Sequence, residues 1–295
     1  MSTIAHDTAG NDRVPVGPGL SMFDPMFIGI NEFGEHVTLD VVYHNLLIGG
    51  LPGGGKSGLV NTVTGTAALC DNTRLVCLDA KWVELGPWEP ICDAFIGDDI
   101  DQGIRVMRRL LTVARNRYRW LLSQRRRKVV RTDGLSTILT VVDELAMFTR
   151  ILDTKEKREE FETLLTGLVA LGRACAMPVV GASQRTSAKV IDPNLRDLFG
   201  YRCAFYCTTP GSSEVILGTG WEERGYNAMD INPDNPGEAF LLANKGNPRR
   251  IKVSWLSDDQ IYAISDYVAW TRRPGNKTPK APPRDLTPIE WEMAA

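Results

Sequence analysis

The sequence predicts an α/β fold with a mostly parallel central sheet flanked by helices, and three observations support this prediction. Short apolar runs of strand length alternate with longer helix-like segments across residues 45–184. Runs such as Thr137–Val142 are apolar throughout, which is typical of strands that helices cover on both faces. Because 43% of the 295 residues are hydrophobic, the chain can also bury a large core.

The N-terminal part predicts a tail followed by two short strands. Residues 1–24 are polar and rich in Gly and Pro, which indicates a flexible tail. Met26–Ile30 and His36–Asp40 are strand-like and are separated by a turn-prone loop. The opening residues lack the basic start and apolar core of a secretion signal, so we expect a cytoplasmic protein.

The central part alternates strands with helices. The predicted strands are Asn45–Gly50, Arg74–Ala80, Ser136–Leu145 and Met177–Gln184. The predicted helices are Ser57–Cys70, Asp101–Lys128 and Lys155–Arg173. Strands joined by helical connections of this length are expected to run parallel.

The C-terminal part predicts two further strands, an edge strand, a helix and a tail. In chain order the elements are Arg202–Thr209, Gly237–Asn244, Arg249–Leu256 as the edge, and the helix Asp258–Arg272. Residues 274–295 are rich in proline, which predicts a flexible tail. We therefore expect one folded domain over residues 25–273.

Several classes of protein are excluded by composition and patterning. The longest uncharged stretches, such as Val41–Gly55, contain Gly and Pro and fall short of the ~20 apolar residues of a membrane span. The six cysteines are scattered without a CxxC pair. Cys203 and Cys207 lie in an apolar run, which favours small buried residues over metal ligands or a disulfide.

Positive charge is concentrated between Arg105 and Arg131. This segment holds eleven Lys and Arg and no acid, whereas the whole chain has 34 Lys+Arg against 36 Asp+Glu. Such a density is typical of a surface that binds a polyanion. The same residues also have apolar positions at helical spacing, so the arginines could equally form the solvated face of a helix.

A glycine-rich motif lies between the first parallel strand and its helix. Gly50–Ser57 fits the pattern GxxxxGK[ST] at every fixed position. In this motif, backbone N–H groups bind phosphates, Lys56 reaches the β/γ oxygens and the Ser57 hydroxyl ligates Mg²⁺. We therefore predict that ATP and Mg²⁺ are bound, with Ser57 as a metal ligand. The predicted nucleotide-binding residues are Gly50, Leu51, Pro52, Gly53, Gly54, Gly55, Lys56, Ser57 and Gly58.

Two acids end the apolar strand that begins near residue 136. Asp143 is predicted to hold the Mg²⁺ through its water shell, and Glu144 to polarise the attacking water. Carboxylates at the carboxyl end of a parallel strand lie where α/β proteins bind ligands. Because both acids are present, the pattern favours ATP hydrolysis over nucleotide binding alone.

A polar amide and a second acidic turn are predicted at the same edge. Gln184 follows another apolar strand and is expected near the γ-phosphate, where it could sense the phosphate or orient water; the alternative is a strand-end cap. Asp79-Ala80-Lys81 closes the strand Arg74–Ala80 and adds a charged pair there.

Four segments, in order, resemble the FtsK/SpoIIIE family of DNA-pumping motor ATPases. They are Leu47–Ser57 (the phosphate loop), Leu78–Leu85 (LDAKWVEL), Val141–Leu145 and Gly172–Ser187 (GRACAMPVVGASQRTS). The sequence departs from the family at Ala80 and Thr186, where the family has proline, and at Pro52-Gly53-Gly54. None of these changes removes a group that the ATP chemistry needs.

The resemblance implies a RecA-like P-loop NTPase core that assembles as a homo-oligomer, a hexameric ring, around double-stranded DNA. It also implies a trans arginine from the neighbouring subunit, for which Arg202 is the first candidate and Arg185 the second. The alternative for Arg202 is a salt bridge at the strand edge. The chain is similar to the short TraB/TraSA-type motors of actinobacterial conjugative plasmids and integrative elements, for which any membrane attachment would come from a membrane-anchored partner protein.

The leading interpretation is therefore an ATP-driven translocase of double-stranded DNA in conjugative transfer. Two alternatives keep the same motor chemistry: a protein-translocating ATPase of the type VII secretion kind, and a phage-encoded DNA motor. A nucleotide-binding scaffold without catalysis is disfavoured because Lys56, Ser57, Asp143 and Glu144 are all present.

Overall fold

Ten strands, numbered in chain order, form a single mixed sheet in a computed structural model that describes residues 20–187, 190–243 and 246–272. They are β1 (Met26–Asn31), β2 (His36–Leu39), β3 (Leu46–Gly49), β4 (Thr73–Leu78), β5 (Ala94–Ile96), β6 (Thr137–Val142), β7 (Val179–Ser183), β8 (Tyr201–Phe205), β9 (Glu238–Leu242) and β10 (Arg249–Val253). Their order across the sheet is β2-β1-β10-β9-β8-β3-β7-β6-β4-β5.

Six α-helices accompany the sheet in the part of the chain that the structure describes. They are α1 (Lys56–Leu69), α2 (Ile100–Ser123), α3 (Lys155–Gly172), α4 (Pro193–Asp197), α5 (Pro210–Leu217) and α6 (Asp258–Thr271). A π-helical turn covers Met147–Ile151, and 3-10 turns cover Val41–Tyr43, Gly86–Ile91, Arg131–Asp133, Arg173–Cys175, Glu222–Arg224 and Ala228–Asp230.

The predicted α/β fold with a mostly parallel sheet is confirmed. Strands β8, β3, β7, β6, β4 and β5 run parallel to one another. The remaining strands β9, β10, β1 and β2 join antiparallel. The prediction that Arg249–Leu256 is an edge strand is wrong, because β10 lies between β1 and β9 and the N-terminal hairpin covers that side.

Helices cover both faces of the sheet, which explains the strands that are apolar throughout. On one face α1 and α6 pack against the sheet through side chains that include Val63 of α1 and Ile261 of α6. On the other face α2 and α3 pack against the sheet through side chains that include Met107 of α2 and Phe161 of α3. Every residue of β6 is buried between the two layers, as the sequence predicts for this strand.

Two local predictions differ from the structure, and two fall wholly or partly outside the described residues. Within the predicted tail 1–24, Leu20 forms a backbone β-bridge with Cys70. Met22 is buried, because its apolar side chain joins the core that α1 also lines. The helix predicted to reach Lys128 ends at Ser123, and Arg125 then adopts a left-handed φ of 53°. Residues 1–19 and the predicted tail 274–295 lie outside the described residues.

The short elements β5, α4 and α5 were not predicted, because each is too short to show a hydrophobic period. Over the described residues, the structure contains no helix with the length and apolar character to cross a bilayer.

Candidate nucleotide site

The predicted site residues come together where three parallel strands end. The glycine-rich loop leaves β3, Asp143 and Glu144 follow β6, and Gln184 follows β7. In the sheet Gly49 pairs with Ser183, which brings the ends of β3 and β7 side by side. This common edge is where α/β proteins bind ligands.

The loop from Gly50 to Gly55 needs glycine at both ends. Gly55 has a φ of 107°, and a Cβ atom there would lie 2.4 Å from the Gly237 nitrogen. Gly50 has a φ of 147°, and its Cβ would lie 2.7 Å from that of Phe205. The left-handed backbone and the close neighbours therefore both exclude a side chain.

Backbone hydrogen bonds fix this loop to three strands. The Gly50 N–H donates to the Ser183 carbonyl over 3.4 Å, and the Leu51 N–H donates to the Tyr206 carbonyl over 3.0 Å. The Gly54 carbonyl accepts from the Gly237 N–H over 2.8 Å. The loop is thus held as a preformed cradle at the start of α1, the geometry that binds phosphate groups.

Lys56 is a buried cation in the first turn of α1. Lys56 is only 6% exposed, and its Nζ donates a hydrogen bond to the Leu51 carbonyl over 3.1 Å. Burial lowers the pKa of Lys56, and the nearby carboxylates of Asp143, Glu144 and Glu84 oppose that shift. The ammonium group therefore lies between the loop and the acids that follow β6.

Asp143 is a buried carboxyl group with few positive neighbours. Burial, together with the charges of Asp79, Glu84 and Glu144, raises the pKa of Asp143 to about 7, and the charge of Lys56 opposes that shift. A buried carboxylate with this excess of negative neighbours is suited to a cation.

The residues present fit a nucleotide-bound Mg²⁺. Among the described residues, no three His, Cys, Asp or Glu side chains cluster to hold a metal on their own. Mg²⁺ usually takes one or two protein ligands and completes its shell with phosphate oxygens and water. The half-buried Ser57 hydroxyl, beside the phosphate cradle, and Asp143 are the residues that would hold it.

The raised pKa of Asp143 makes a prediction about pH. In the unfolded chain this carboxyl ionises near 3.8, whereas in the folded, nucleotide-free protein it holds its proton to about pH 7. Its contribution to the free energy of unfolding therefore falls as pH rises from about 4 to 7, by roughly 4 kcal/mol at most. Denaturant unfolding measured at pH 5 and at pH 7.5 gives the free energy of unfolding at each pH. Between these two values it should fall less for Asp143→Asn than for the wild type. Equal pH dependence in both proteins would contradict the assignment.

Three hydrogen bonds hold the Glu144 carboxylate, two of them from the end of β7. Its Oε1 accepts from the Ser183 hydroxyl over 2.7 Å and from the Ala146 N–H over 3.1 Å. Its Oε2 accepts from the Gln184 N–H over 2.8 Å. Both carboxylate oxygens are thus oriented by neighbouring groups, and for Gln184 it is the backbone N–H that donates to Glu144.

Ser183 is a site residue that the sequence analysis did not single out. It is fully buried and carries the hydroxyl that contacts Glu144. The sequence did contain a signal for Ser183, because a serine that ends an apolar, buried strand needs a hydrogen-bond partner.

Asp79 has a structural role. Its carboxylate accepts hydrogen bonds from the backbone N–H groups of Lys81, Glu84 and Leu85 and so fixes the turn after β4.

The two candidate arginines lie in different surroundings. Arg202 pairs with Leu47 inside the sheet, before the carboxyl end of β8, and its Nη1 is 3.4 Å from an Asp197 oxygen. Burial lowers the pKa of Arg202, and its Nε has no hydrogen-bond partner among the described residues. Arg185 is exposed beside Gln184. Within this single chain, Arg202 therefore forms an ion pair with Asp197. A salt bridge of this kind was the alternative to a trans role in the sequence analysis.

The basic segment Arg105–Arg131 divides into three groups. Arg117 is buried and donates to the carbonyls of Cys175 and Ser136 over 2.6 and 2.8 Å. Four of its arginines form ion pairs with acids: Arg105 with Asp99, Arg108 with Glu160, Arg126 with Asp133, and Arg131 with Asp24. Further exposed cations are Arg109, Arg115, Arg119, Arg125, Arg127 and Lys128.

Comparison with known proteins confirms the family resemblance. Residues 20–136 match the model of the FtsK/SpoIIIE family. DNA translocase FtsK of Corynebacterium glutamicum is 27% identical over 278 residues, which cover 85% of this chain and 29% of the relative. DNA translocase SpoIIIE of Bacillus subtilis is 24% identical over 262 residues, or 82% of this chain and 32% of the relative. The chain thus spans about a third of the length of these curated relatives.

Solved structures confirm the RecA-like P-loop fold. The monomer form of the pCW3 conjugation coupling protein TcpA with ATPγS has a TM-score of 0.73 at 18% identity, covering 88% of this chain and 74% of that one. The cytoplasmic domain of the Thermomonospora curvata type VII secretion ATPase EccC has a TM-score of 0.61 at 18% identity, covering 87% and 32%. At these identities the similarity is evidence for the fold alone.

Proposed function

From its resemblance to the FtsK/SpoIIIE family, we propose that this protein is an ATPase that uses ATP hydrolysis to translocate double-stranded DNA. The observation that carries the ATPase proposal is the convergence of the phosphate loop, Asp143 and Glu144 at one sheet edge. The DNA substrate rests on the relatives named DNA translocase.

Different residues of the chain have different roles in ATP hydrolysis. The loop N–H groups and Lys56 hold the phosphates. Ser57 and Asp143 would hold Mg²⁺, which would neutralise charge on the phosphate oxygens. Glu144, oriented by Ser183 and by the Gln184 N–H, orients and polarises the attacking water. Both donors lie at the end of β7, because Ser183 is its last residue and Gln184 follows it.

A ring assembly is part of the proposal. Phosphoryl transfer commonly uses an arginine supplied in trans by a neighbouring protein. We therefore propose a homo-oligomer, a hexameric ring as the resemblance implies, in which Arg202 of one subunit completes the site of the next. Recruitment by a membrane-anchored partner is proposed on the same resemblance.

The basic segment Arg105–Arg131 is the surface proposed for DNA contact. Its exposed cations, including Arg125, Arg127 and Lys128 just beyond α2, can bind phosphates without reading sequence. Binding through such contacts weakens steeply as salt rises, because bound counterions are released from the DNA.

The proposal is tested by steady-state ATP hydrolysis with linear duplex DNA, single-stranded DNA or no nucleic acid, each at two salt concentrations. Strong, salt-sensitive stimulation by duplex DNA is the expected result. Equal activity under all conditions would contradict a DNA motor and would favour the second candidate, a protein-translocating motor. That candidate is supported by the fold similarity to EccC.

A role in conjugative transfer is the finer part of the proposal. It is supported by the fold similarity to the conjugation coupling protein TcpA. A phage-encoded DNA motor would share the same chemistry. Deleting the coding sequence from a host element that transfers by conjugation should abolish transfer while replication continues; unchanged transfer would contradict this role.

Replacing Lys56 tests the phosphate loop itself. Lys56→Ala should lower the affinity for Mg²⁺·ATP by about 10- to 150-fold, because a charge-assisted contact to the phosphates is lost. Isothermal calorimetry measures the affinity, and Lys81→Ala, an exposed lysine at the same edge, is the matched control. Unchanged affinity of the Lys56→Ala protein would show that the phosphate-loop assignment is wrong.

A further inference from the structure

A large aromatic side chain is exposed beside the phosphate loop. Trp255 follows β10 and is 73% exposed. A Cβ atom on Gly58 would lie 3.7 Å from its indole Cδ1. Since Gly58 comes directly after Ser57, the indole lies against the first turn of α1.

The chain just before Trp255 is fixed to the loop and to α1. Val253 donates its N–H to the Gly237 carbonyl over 2.9 Å, and Gly237 in turn donates to the Gly54 carbonyl over 2.8 Å. The hydroxyl groups of Ser254 and Thr62 are 3.0 Å apart in a hydrogen bond. The position of Trp255 relative to the loop is therefore set by hydrogen bonds to the loop and to α1.

The direction of a bound nucleotide follows from the cradle. Backbone N–H groups of a phosphate loop hold the α- and β-phosphates at the start of the helix, and the ribose and base extend beyond the α-phosphate. An aromatic ring at the helix start, exposed and held in place, offers a flat apolar surface to a base.

We propose that Trp255 is the platform on which the nucleotide base stacks. This inference rests on the proposed nucleotide-binding function and adds the residue that contacts the base. Stacking on an indole tolerates any base, since every base has a π-face, so Trp255 contributes affinity and not base identity.

Two other exposed tryptophans lack this placement. Trp82 packs against Phe95, with ring centroids 4.7 Å apart. Trp270 lies near the C-terminal end of α6. Arg272, two residues later, donates to the carbonyl of Ala68 over 3.4 Å, and Ala68 lies at the C-terminal end of α1. Gly58 and Ala68 are separated by about 15 Å of helix. Trp270 is therefore the matched control for the test.

The test compares Mg²⁺·ATP with Mg²⁺·tripolyphosphate, which has the phosphates but no base, by calorimetric titration of the full chain. Trp255→Ala should weaken ATP binding by about 5- to 150-fold and leave tripolyphosphate binding unchanged. Trp255→Phe should retain most of the ATP affinity, and Trp270→Ala should bind both ligands like the wild type. Because Trp255 is largely exposed, its truncation leaves the core intact.

The other outcomes are distinguishable. Unchanged ATP affinity in Trp255→Ala would overturn the proposal, and so would an equal loss for both ligands, since that result would assign Trp255 to shaping the loop. If the wild type bound neither ligand, the phosphate-loop assignment would fail and the base platform with it. Equal binding of ATP and tripolyphosphate by the wild type would overturn the base platform alone.

Discussion

Glu144→Gln should bind Mg²⁺·ATP with near-normal affinity and lose about 10²- to 10⁴-fold in the rate of ATP hydrolysis. The amide has the same shape as the carboxylate and can still accept a hydrogen bond from the Ser183 hydroxyl. It cannot accept a proton from the attacking water. The expected loss is therefore in kcat, with little change in the affinity for the nucleotide.

The measurement is single-turnover hydrolysis alongside calorimetric binding. Glu159→Gln is the matched control, because Glu159 is an exposed residue of α3 whose contact with Lys155 is an ion pair one helical turn away. It makes the same chemical change outside the site and should leave turnover unchanged. Normal turnover by Glu144→Gln would assign the water-polarising role to another residue.

The parts of the site that are contiguous in sequence could be predicted from sequence alone. The phosphate loop has fixed spacing, and the strand β6 with its terminal acids lies within eight residues of chain, Thr137–Glu144. The fold class followed from the same kind of local signal, the alternation of buried strands and helices.

Contacts between distant residues could not be predicted in this way. Glu144 and Ser183 are 39 residues apart, and their hydrogen bond depends on β6 and β7 being neighbours in the sheet. The position of β10 inside the sheet depends on β1, more than two hundred residues earlier, pairing with it. The approach of Trp255 to Gly58 has the same origin, because α1 packs against the residues that follow β10. A hydrophobic period reports which face of an element is buried but not which element covers it.

If Arg202 acts in trans, Arg202→Ala should lower the turnover of the assembled protein by about 10³- to 10⁵-fold, the range measured for arginine fingers. In the single chain the guanidinium contacts Asp197, and its Nε has no hydrogen-bond partner in the described residues. A cis ion pair and a trans contact make different predictions for Asp197→Asn. The cis role predicts a loss as large as that of Arg202→Ala, whereas the trans role predicts a small one.

Mixing two inactive proteins separates the roles further. In a head-to-tail ring, an Arg202→Ala subunit supplies an intact Glu144, and a Glu144→Gln neighbour supplies an intact Arg202. At equal amounts, about one interface in four then has both groups. Recovery of a comparable fraction of wild-type hydrolysis is expected, and Arg185→Ala in place of Arg202→Ala tests the second candidate in the same assay. If the mixture of Arg202→Ala and Glu144→Gln subunits recovered no activity, neither subunit would be completing the site of the other. The role of Arg202 would then be its ion pair with Asp197 in the same chain.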